Sequence, residues 1–442
     1  MVKFMRNILF IVCLLFVTQL SLTQDEAQTP YDLALEMILE AERTDAIELD
    51  LSEIQITELP PQIGNLTKLQ MLDLSNNLSS SENDHIKLTY LPIEVGNLSN
   101  LQVLGLDNNQ LNNLPSEIGN LHNLQSLSLL GNDLSSLPTE IGNLHNLQVL
   151  DLRSNQFVTL PPEIGKLSSL ENLYLNNNDL SELPSEISAL KNLETLNLEY
   201  NQFSDFPYVI TEINSLKHLR LNSNQLSSLP PEIGNLGNLE NLYLYDNQLS
   251  SLPPEIGNLS KLYRLVLYRN NLSTLPPEIG NLDSLKVLEL GNNELSNLPP
   301  EIGDLSKLYE LDLKQNQLSS LLPEIENLTG LCKLNISSNQ LQDLPSELAE
   351  LVHFDKGVCY LDLYNNPLTA LPPDVTLSDT TEVLGYLRDP EQWLYQRHVI
   401  RVTSQIVLLV ASIFGLGLWW WIRRPKPKQK IKPFHVWKDN HD

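Results

Sequence analysis

Leu101-Gln-Val-Leu-Gly-Leu-Asp-Asn-Asn109-Gln-Leu-Asn-Asn-Leu-Pro115-Ser-Glu-Ile-Gly119 decides the reading of this chain, because the chain repeats it. Leu101, Leu124, Leu147, Leu170, Leu193, Leu216, Leu239, Leu262, Leu285, Leu308 and Leu331 open eleven successive units at a 23-residue interval. Each unit spells L-x-x-L-x-L-x-x-N-x-L-x-x-L-P-x-E-I-G-x-L-x-x, with change concentrated at the x positions. Asparagine keeps the ninth position through twelve consecutive units, from Asn109 to Asn366, the last unit opening at Val358. Two earlier units begin at Ala46 and Leu69, which makes fourteen; the first has Ile54 where asparagine belongs, and the second keeps Asn77 with Leu78 one place early. A terminal unit has a neighbour on one side only, so irregularity is expected there.

In L-x-x-L-x-L a strand turns its fourth and sixth positions inward and its third, fifth and seventh outward, because side chains alternate along extended backbone. One unit cannot bury its own leucines, so each must cover the next, and the strands should align as one long parallel sheet. L-P-x-E-I-G builds the other side: Pro115, or the pair Pro161 and Pro162, starts a short helical turn, and Gly119 or Gly165 is expected to end it. These glycines lack the G-x-G-x-x-G or lysine context of a phosphate loop. Leu69 to Leu101 spans 32 residues, the excess lying in the polar stretch Ser79–Lys87, and Leu331 to Val358 spans 27. Both insertions are expected to leave the stack as loops.

The pattern resembles the leucine-rich repeat family over about three quarters of the chain. The resemblance implies an α/β solenoid, with a curved parallel sheet on the concave side and short helical turns on the convex side. It implies that the repeated asparagines form a buried ladder whose amides satisfy the turning backbone. It also implies binding of a protein or peptide without naming the ligand. The chain lacks the paired-cysteine caps common in animal and plant extracellular members, and its L-P-x-E-I-G differs from the L-x-G-x-I-P of plant receptor kinases. It looks more like a bacterial surface protein, or an outlying relative of intracellular Scribble-like scaffolds.

Both ends speak of a membrane. Lys3 and Arg6 precede the apolar run Ile8–Val17, which marks 1–23 as a secretory signal peptide, removed after Ser21-Leu-Thr23 or kept as an anchor. Residues 24–45 are expected to cap the first unit through a helix from Asp32 to Arg43 with Leu33, Met37 and Ala41 along one stripe. Repeats fill 46–379, and 380–398 holds a second cap, a helix over Thr380–Arg388 carrying Val383, Leu384 and Leu387 and stopped by Pro390. Val402–Ile422 is 21 residues long, about 31 Å as a helix, which matches one bilayer core. Trp419, Trp420 and Trp421 stand at its end, and Arg423, Arg424, Lys426, Lys428, Lys430 and Lys432 follow. That order predicts a single-pass transmembrane helix, a basic cytoplasmic tail over 423–442, and repeats outside the cytoplasm. Between 24 and 422 the chain holds 19 basic and 53 acidic residues. Such a surface repels nucleic acid and favours cationic partners or plain solubility.

Cys332 and Cys359 occupy the second position of consecutive units, so parallel pairing would set them within disulfide reach in an oxidising compartment; two free thiols are the alternative. Asn65, Asn97, Asn258, Asn327 and Asn335 head glycosylation sequons. No H-E-x-x-H, G-x-S-x-G, phosphate loop or Cys-His arrangement is present, so no catalysis, cofactor or metal is expected. His122 and His145 share one outer repeat position and read as surface residues.

Function is therefore expected on the solenoid's surface. In the units from Leu170 to Leu308, Tyr174, Tyr200, His218, Arg220, Tyr243, Tyr245, Tyr263, Arg264, Tyr268, Arg269 and Tyr309 fall on or beside the concave face, whereas the first units offer mostly Asp, Ser, Gly and Val. Tyrosine and arginine enrich at binding hot spots, although aromatic residues also suit exposed strands. Tyr245 and Tyr268 share a column on adjacent strands and should belong to one patch. Two functions follow: a membrane-anchored receptor, adhesin or scaffold recognising a protein or peptide, or a structural acidic envelope or matrix protein without a specific partner.

Overall fold

Among the described residues fourteen three-residue strands, from β1 (Glu48–Asp50) to β14 (Tyr360–Asp362), form one sheet in which each pairs in parallel with its sequence neighbours. The computed structural model describes residues 29–75, 88–351, 359–373, 375 and 380–423, with C-terminal side chains followed over 381–412. Register advances one unit per step: Leu265 on β10 (Arg264–Val266) lies between Leu242 on β9 (Asn241–Tyr243) and Leu288 on β11 (Val287–Glu289). The long intervals obey the same rule. Leu72 on β2 (Met71–Asp73) faces Leu104 on β3 (Val103–Gly105), and Leu334 on β13 (Lys333–Asn335) faces Leu361 on β14. Ser79–Lys87 lies outside the described residues, as do Asn77 and Leu78.

Burial follows the repeat. Leu262, Leu265, Leu267 and Leu272, at the first, fourth, sixth and eleventh positions of one unit, have no solvent exposure, and each contributes roughly 1.5–3 kcal/mol by leaving water. Behind the strands, among the described residues, run thirteen five-residue 3₁₀ turns, from Pro61–Asn65 to Ser346–Glu350. The expectation for glycine needs correction. Gly119 does not end its turn but lies inside Ser116–Asn120, and Gly131 is the one glycine with positive φ among those described. A Cβ on Gly119 would sit 2.6 Å from the Glu140 carbonyl oxygen, so the small residue serves close approach of the next coil.

The ninth-position asparagines do form a ladder. Asn270 Nδ2 donates to Leu267 O at 3.0 Å in its own unit and to Leu244 O at 2.9 Å in the preceding one, while its Oδ1 accepts from Leu249 N at 3.0 Å. The same two donations recur from Asn109 to Asn366. Asparagine at the last position of several units adds a second link between coils, as where Asn123 Nδ2 donates to Ser99 O at 2.8 Å.

At the N-terminal end, α1 runs Pro30–Arg43, two residues ahead of its expected start, because Thr29 and Asp32 form a capping box around Pro30. Its buried stripe is Ala34, Ile38 and Ala41, one position away from the expected Leu33 and Met37, which stay partly exposed. At the other end, α2 (Thr380–Arg388) buries Val383 and Leu384 against the last coil, and Arg388 donates to Ala349 O at 2.7 Å. Cys332 and Cys359 are joined as a disulfide, their Cα atoms 4.7 Å apart.

Pro390 ends α2 and begins α3 (Pro390–Arg423). Asp389 caps the new helix, its Oδ1 accepting from Gln392 N at 2.9 Å. The expected span 402–422 is thus the second part of a longer helix. Among the described residues no helix is long and apolar enough to cross a membrane: the described side chains of α3 include Glu391, Arg397 and Arg401, and those from 413 onward lie outside. The expected signal segment 1–23 and the tail beyond Arg423 are outside the described residues as well.

Replacing Asn270 by Ala removes three buried hydrogen bonds, leaving the Leu249 amide unpaired and Leu244 O and Leu267 O with only the bonds from Asn247 and Asn293. We expect a loss of about 3 kcal/mol, measured by urea denaturation; a loss under about 1 kcal/mol would mean that the ladder is not a main support.

Candidate functional site

Neighbouring strands stand roughly 4.8 Å apart, so equivalent outward residues meet as columns along the concave face. In the seventh-position column Tyr245 and Tyr268 stack with ring centroids 4.5 Å apart and 8° between their planes. The Tyr245 hydroxyl donates to Glu199 Oε1 at 3.2 Å, two units back. In the fifth-position column Arg220, on β8 (His218–Arg220), lies 4.8 Å from the centroid of the Tyr243 ring. Arg264 Nη1 reaches Glu289 Oε1 at 2.9 Å, and His218 Nδ1 meets Asn241 Nδ2 at 2.8 Å.

Two other groups stand apart from this centre. Tyr263 and Tyr309 occupy second positions at the margin of the sheet, each 44% exposed, with Lys286 5.3 Å over the first ring and Lys333 5.9 Å over the second. Tyr174, on β6 (Asn172–Tyr174), is covered instead by Arg153 at 5.5 Å. The eleven expected residues therefore make a central cluster, a marginal row and one outlying tyrosine.

Tyr200 and Arg269 hold the eighth position, where φ is left-handed in unit after unit, 51° and 54° at these two. Elsewhere asparagine, glycine, serine or aspartate usually takes that place, as Asn108, Gly131, Ser154 and Asp246 do. Small or short polar residues tolerate this backbone, whereas a long side chain costs roughly 1–2 kcal/mol. Arg269 reaches Asp246 Oδ1 at 3.4 Å, and Tyr200 is 52% exposed.

Charge shapes the centre. Burial first, and the Glu199 carboxylate second, push the Tyr245 hydroxyl above the ordinary tyrosine value. Burial does the same to Tyr268, with Asp246 and Glu289 adding to it. Both phenols accordingly stay neutral donors at neutral pH. Burial also raises the Glu289 carboxyl, against the pull of Arg264, and raises Asp312 against its bond from Lys314 N.

The acidic partners Glu199, Glu289 and Asp246 were not among the expected site residues, nor were Tyr360 and Tyr364, although all occupy columns of the same 23-residue count that located the tyrosines. Arg153 also sits in such a column, but in an early unit that reads as plain. Among the described residues no group of three His, Cys, Asp or Glu could hold a metal ion.

A family model described as a leucine-rich repeat region matches residues 116–198, 209–290 and 255–356, and a model of the single repeat matches 100–121. The chain belongs to the leucine-rich repeat family. Among solved structures, this leucine-rich repeat chain is similar to a leucine-rich repeat protein of Leptospira interrogans, at 38% identity over 79% of this chain and 96% of that one, with a TM-score of 0.61. An internalin of Listeria monocytogenes is 25% identical over 73% of this chain and 93% of its own, with a TM-score of 0.62. PEPR1, in the crystal structure of PEPR1-AtPEP1, is 33% identical over 70% of this chain and 47% of its own, with a TM-score of 0.57. No curated protein sequence matches this leucine-rich repeat chain.

Because Glu289 and Asp312 are raised in the folded state, the fold binds protons more readily than the unfolded chain does. Their ionisation therefore costs stability as pH rises past the ordinary carboxylate range, and stability returns as pH falls. We expect Glu289→Gln/Asp312→Asn to raise Tm at pH 7.5, where both carboxyls are ionised at a cost, and to raise it less at pH 4, where protonation already relieves that cost. A gain in Tm larger at pH 4 than at pH 7.5 would contradict this sign.

Proposed function

We propose that this chain is a membrane-anchored, protein- or peptide-binding leucine-rich repeat ectodomain that recognises its partner on the concave face, around Tyr245 and Tyr268. The stacked pair carries the reading. It presents two large aromatic surfaces in the middle of the face, flanked by Arg220, Arg264, Glu199 and Glu289. Aromatic and arginine side chains ringed by polar groups are the composition of binding hot spots. The long side chains held in left-handed backbone at Tyr200 and Arg269 support the same reading, since an inert surface gains nothing from that strain. Similarity to PEPR1, whose solved structure includes AtPEP1, adds a precedent on the same scaffold.

The reading places the repeats outside the cytoplasm at a cell membrane, with 1–23 as the signal segment, 402–422 as the spanning helix and 423–442 inside. The Cys332–Cys359 bond fits an oxidising compartment. The function is binding rather than catalysis, without cofactor or metal, and the acidic surface argues against nucleic acid as a partner.

Changing Tyr245, Arg264 and Tyr268 together to Ala should lower retention of library peptides by the full-length protein at least about tenfold, which is about 1.4 kcal/mol, with far-UV circular dichroism unchanged. Equal retention by the triple variant and the parent would favour the structural alternative. Protease added to intact cells should remove the repeats and spare an epitope placed after Asp442; protection of the repeats would reverse the topology.

A further inference from the structure

The side chain of Asn222 is buried without a role in the repeat's hydrogen bonding. It is 1% exposed, yet neither Nδ2 nor Oδ1 has a hydrogen-bond partner among the described residues. The ladder asparagine of this unit is Asn224, so the side chain of Asn222 has no part in the ladder. A buried primary amide with both ends unpaired is costly and rarely kept without a reason.

Its surroundings supply one. Glu199, Asn222 and Tyr245 are the seventh residues of three successive units, and backbone bonds from Tyr200 N to Asn222 O at 3.1 Å and from Ser223 N to Tyr245 O at 2.9 Å mark them as adjacent rungs. The Tyr245 hydroxyl reaches Glu199 across two rungs and so passes over the one between, which is Asn222. Tyr268 stacks on the far side of Tyr245 and holds the ring in that pose. Ser223 Oγ and Asn176 Oδ1, beside and beyond this rung, are unpaired as well.

We propose that Asn222 and Glu199 form a peptide slot covered by Tyr245, filled by an extended segment bearing arginine or lysine. The cation pairs with Glu199 in place of the tyrosine hydroxyl, and the backbone amide of the segment pairs with Asn222. A primary amide offers both a donor and an acceptor, the complement of one peptide N–H and C=O. A carboxylate released from a neutral phenol calls for a cation, and the guanidinium is the side chain best shaped to meet it. The displaced tyrosine ring remains beside the cation as a π face. The surplus of acidic residues between 24 and 422 draws such a segment in.

The proposal rests on the concave-face reading, and the test separates the two. Full-length protein in detergent micelles selects from a phage library of random peptides, with Tm followed for each variant. The parent should enrich peptides containing arginine or lysine. Asn222→Leu should retain about tenfold fewer of them while its Tm rises, because the orphaned amide is gone. Tyr245→Phe keeps the stack but uncovers Glu199, and should retain about threefold more. Glu199→Gln should lose the preference for basic residues. Enrichment without a basic preference, unchanged in Asn222→Leu, or a fall in Tyr245→Phe, would overturn the slot and leave the concave face as a binding surface. No enrichment by the parent would overturn both.

Discussion

The backbone of each coil can be satisfied only by the coil beside it. Three-residue strands place their leucines toward an interior that a single unit cannot enclose, and the chain then turns through left-handed backbone, leaving carbonyls that no backbone hydrogen bond reaches. The ninth-position asparagine solves this with one amide bridging two coils and one carbonyl accepting from the previous coil. Leucine burial supplies the magnitude, and the asparagine ladder supplies the register. The glycines of the convex turns belong to the same constraint, since a Cβ there would hold successive coils apart.

A stack built in this way has two ends where the constraint fails, and the molecule treats each differently. The N-terminal coil is closed by α1, whose capping box and small buried residues let a helix lie close against the leucines. The C-terminal coil has both α2 and the Cys332–Cys359 bond, which ties the last strand across the interval that contains the second insertion. The base of α3 is then fastened to α2: Trp393 meets Tyr386 edge to face at 5.7 Å, and Arg397 pairs with Glu382. The solenoid therefore passes into α3 through a packed joint.

The interior carries the packing, and on the concave columns several fifth-position residues such as Asn197 and Asp312 still accept backbone bonds, while the tyrosines and arginines have no such duty. Regular register carries each outward residue to a fixed spacing from its counterpart, so a few tyrosines and charged residues become an ordered surface without any loop being rearranged. The central cluster shows the consequence. Tyr245 stacks, donates a hydrogen bond and covers a buried amide at once, and half-burial keeps its hydroxyl protonated. Tyr200, Arg269 and Asn222 depart from local preference within these few units, as Glu53, Gln55 and Gln315 do elsewhere in the stack.

The sequence by itself determined the period, the fourteen units, the inward and outward positions and the columns in which Tyr245 and Tyr268 meet, because all of these depend on alternation and on one repeated interval, while the asparagine ladder followed from the resemblance to the leucine-rich repeat family. Only the tertiary structure decided which ring touches which charge. Glu199 reaches Tyr245 across two units, and Asn222 becomes orphaned beneath that bond, through side-chain directions that no interval encodes. The same holds for the glycines, whose role depends on a neighbouring coil, and for α1, whose buried stripe is set by the surface it meets. Spacing along a chain fixes which residues share a face; the partners they find across that face depend on the three-dimensional packing of other units.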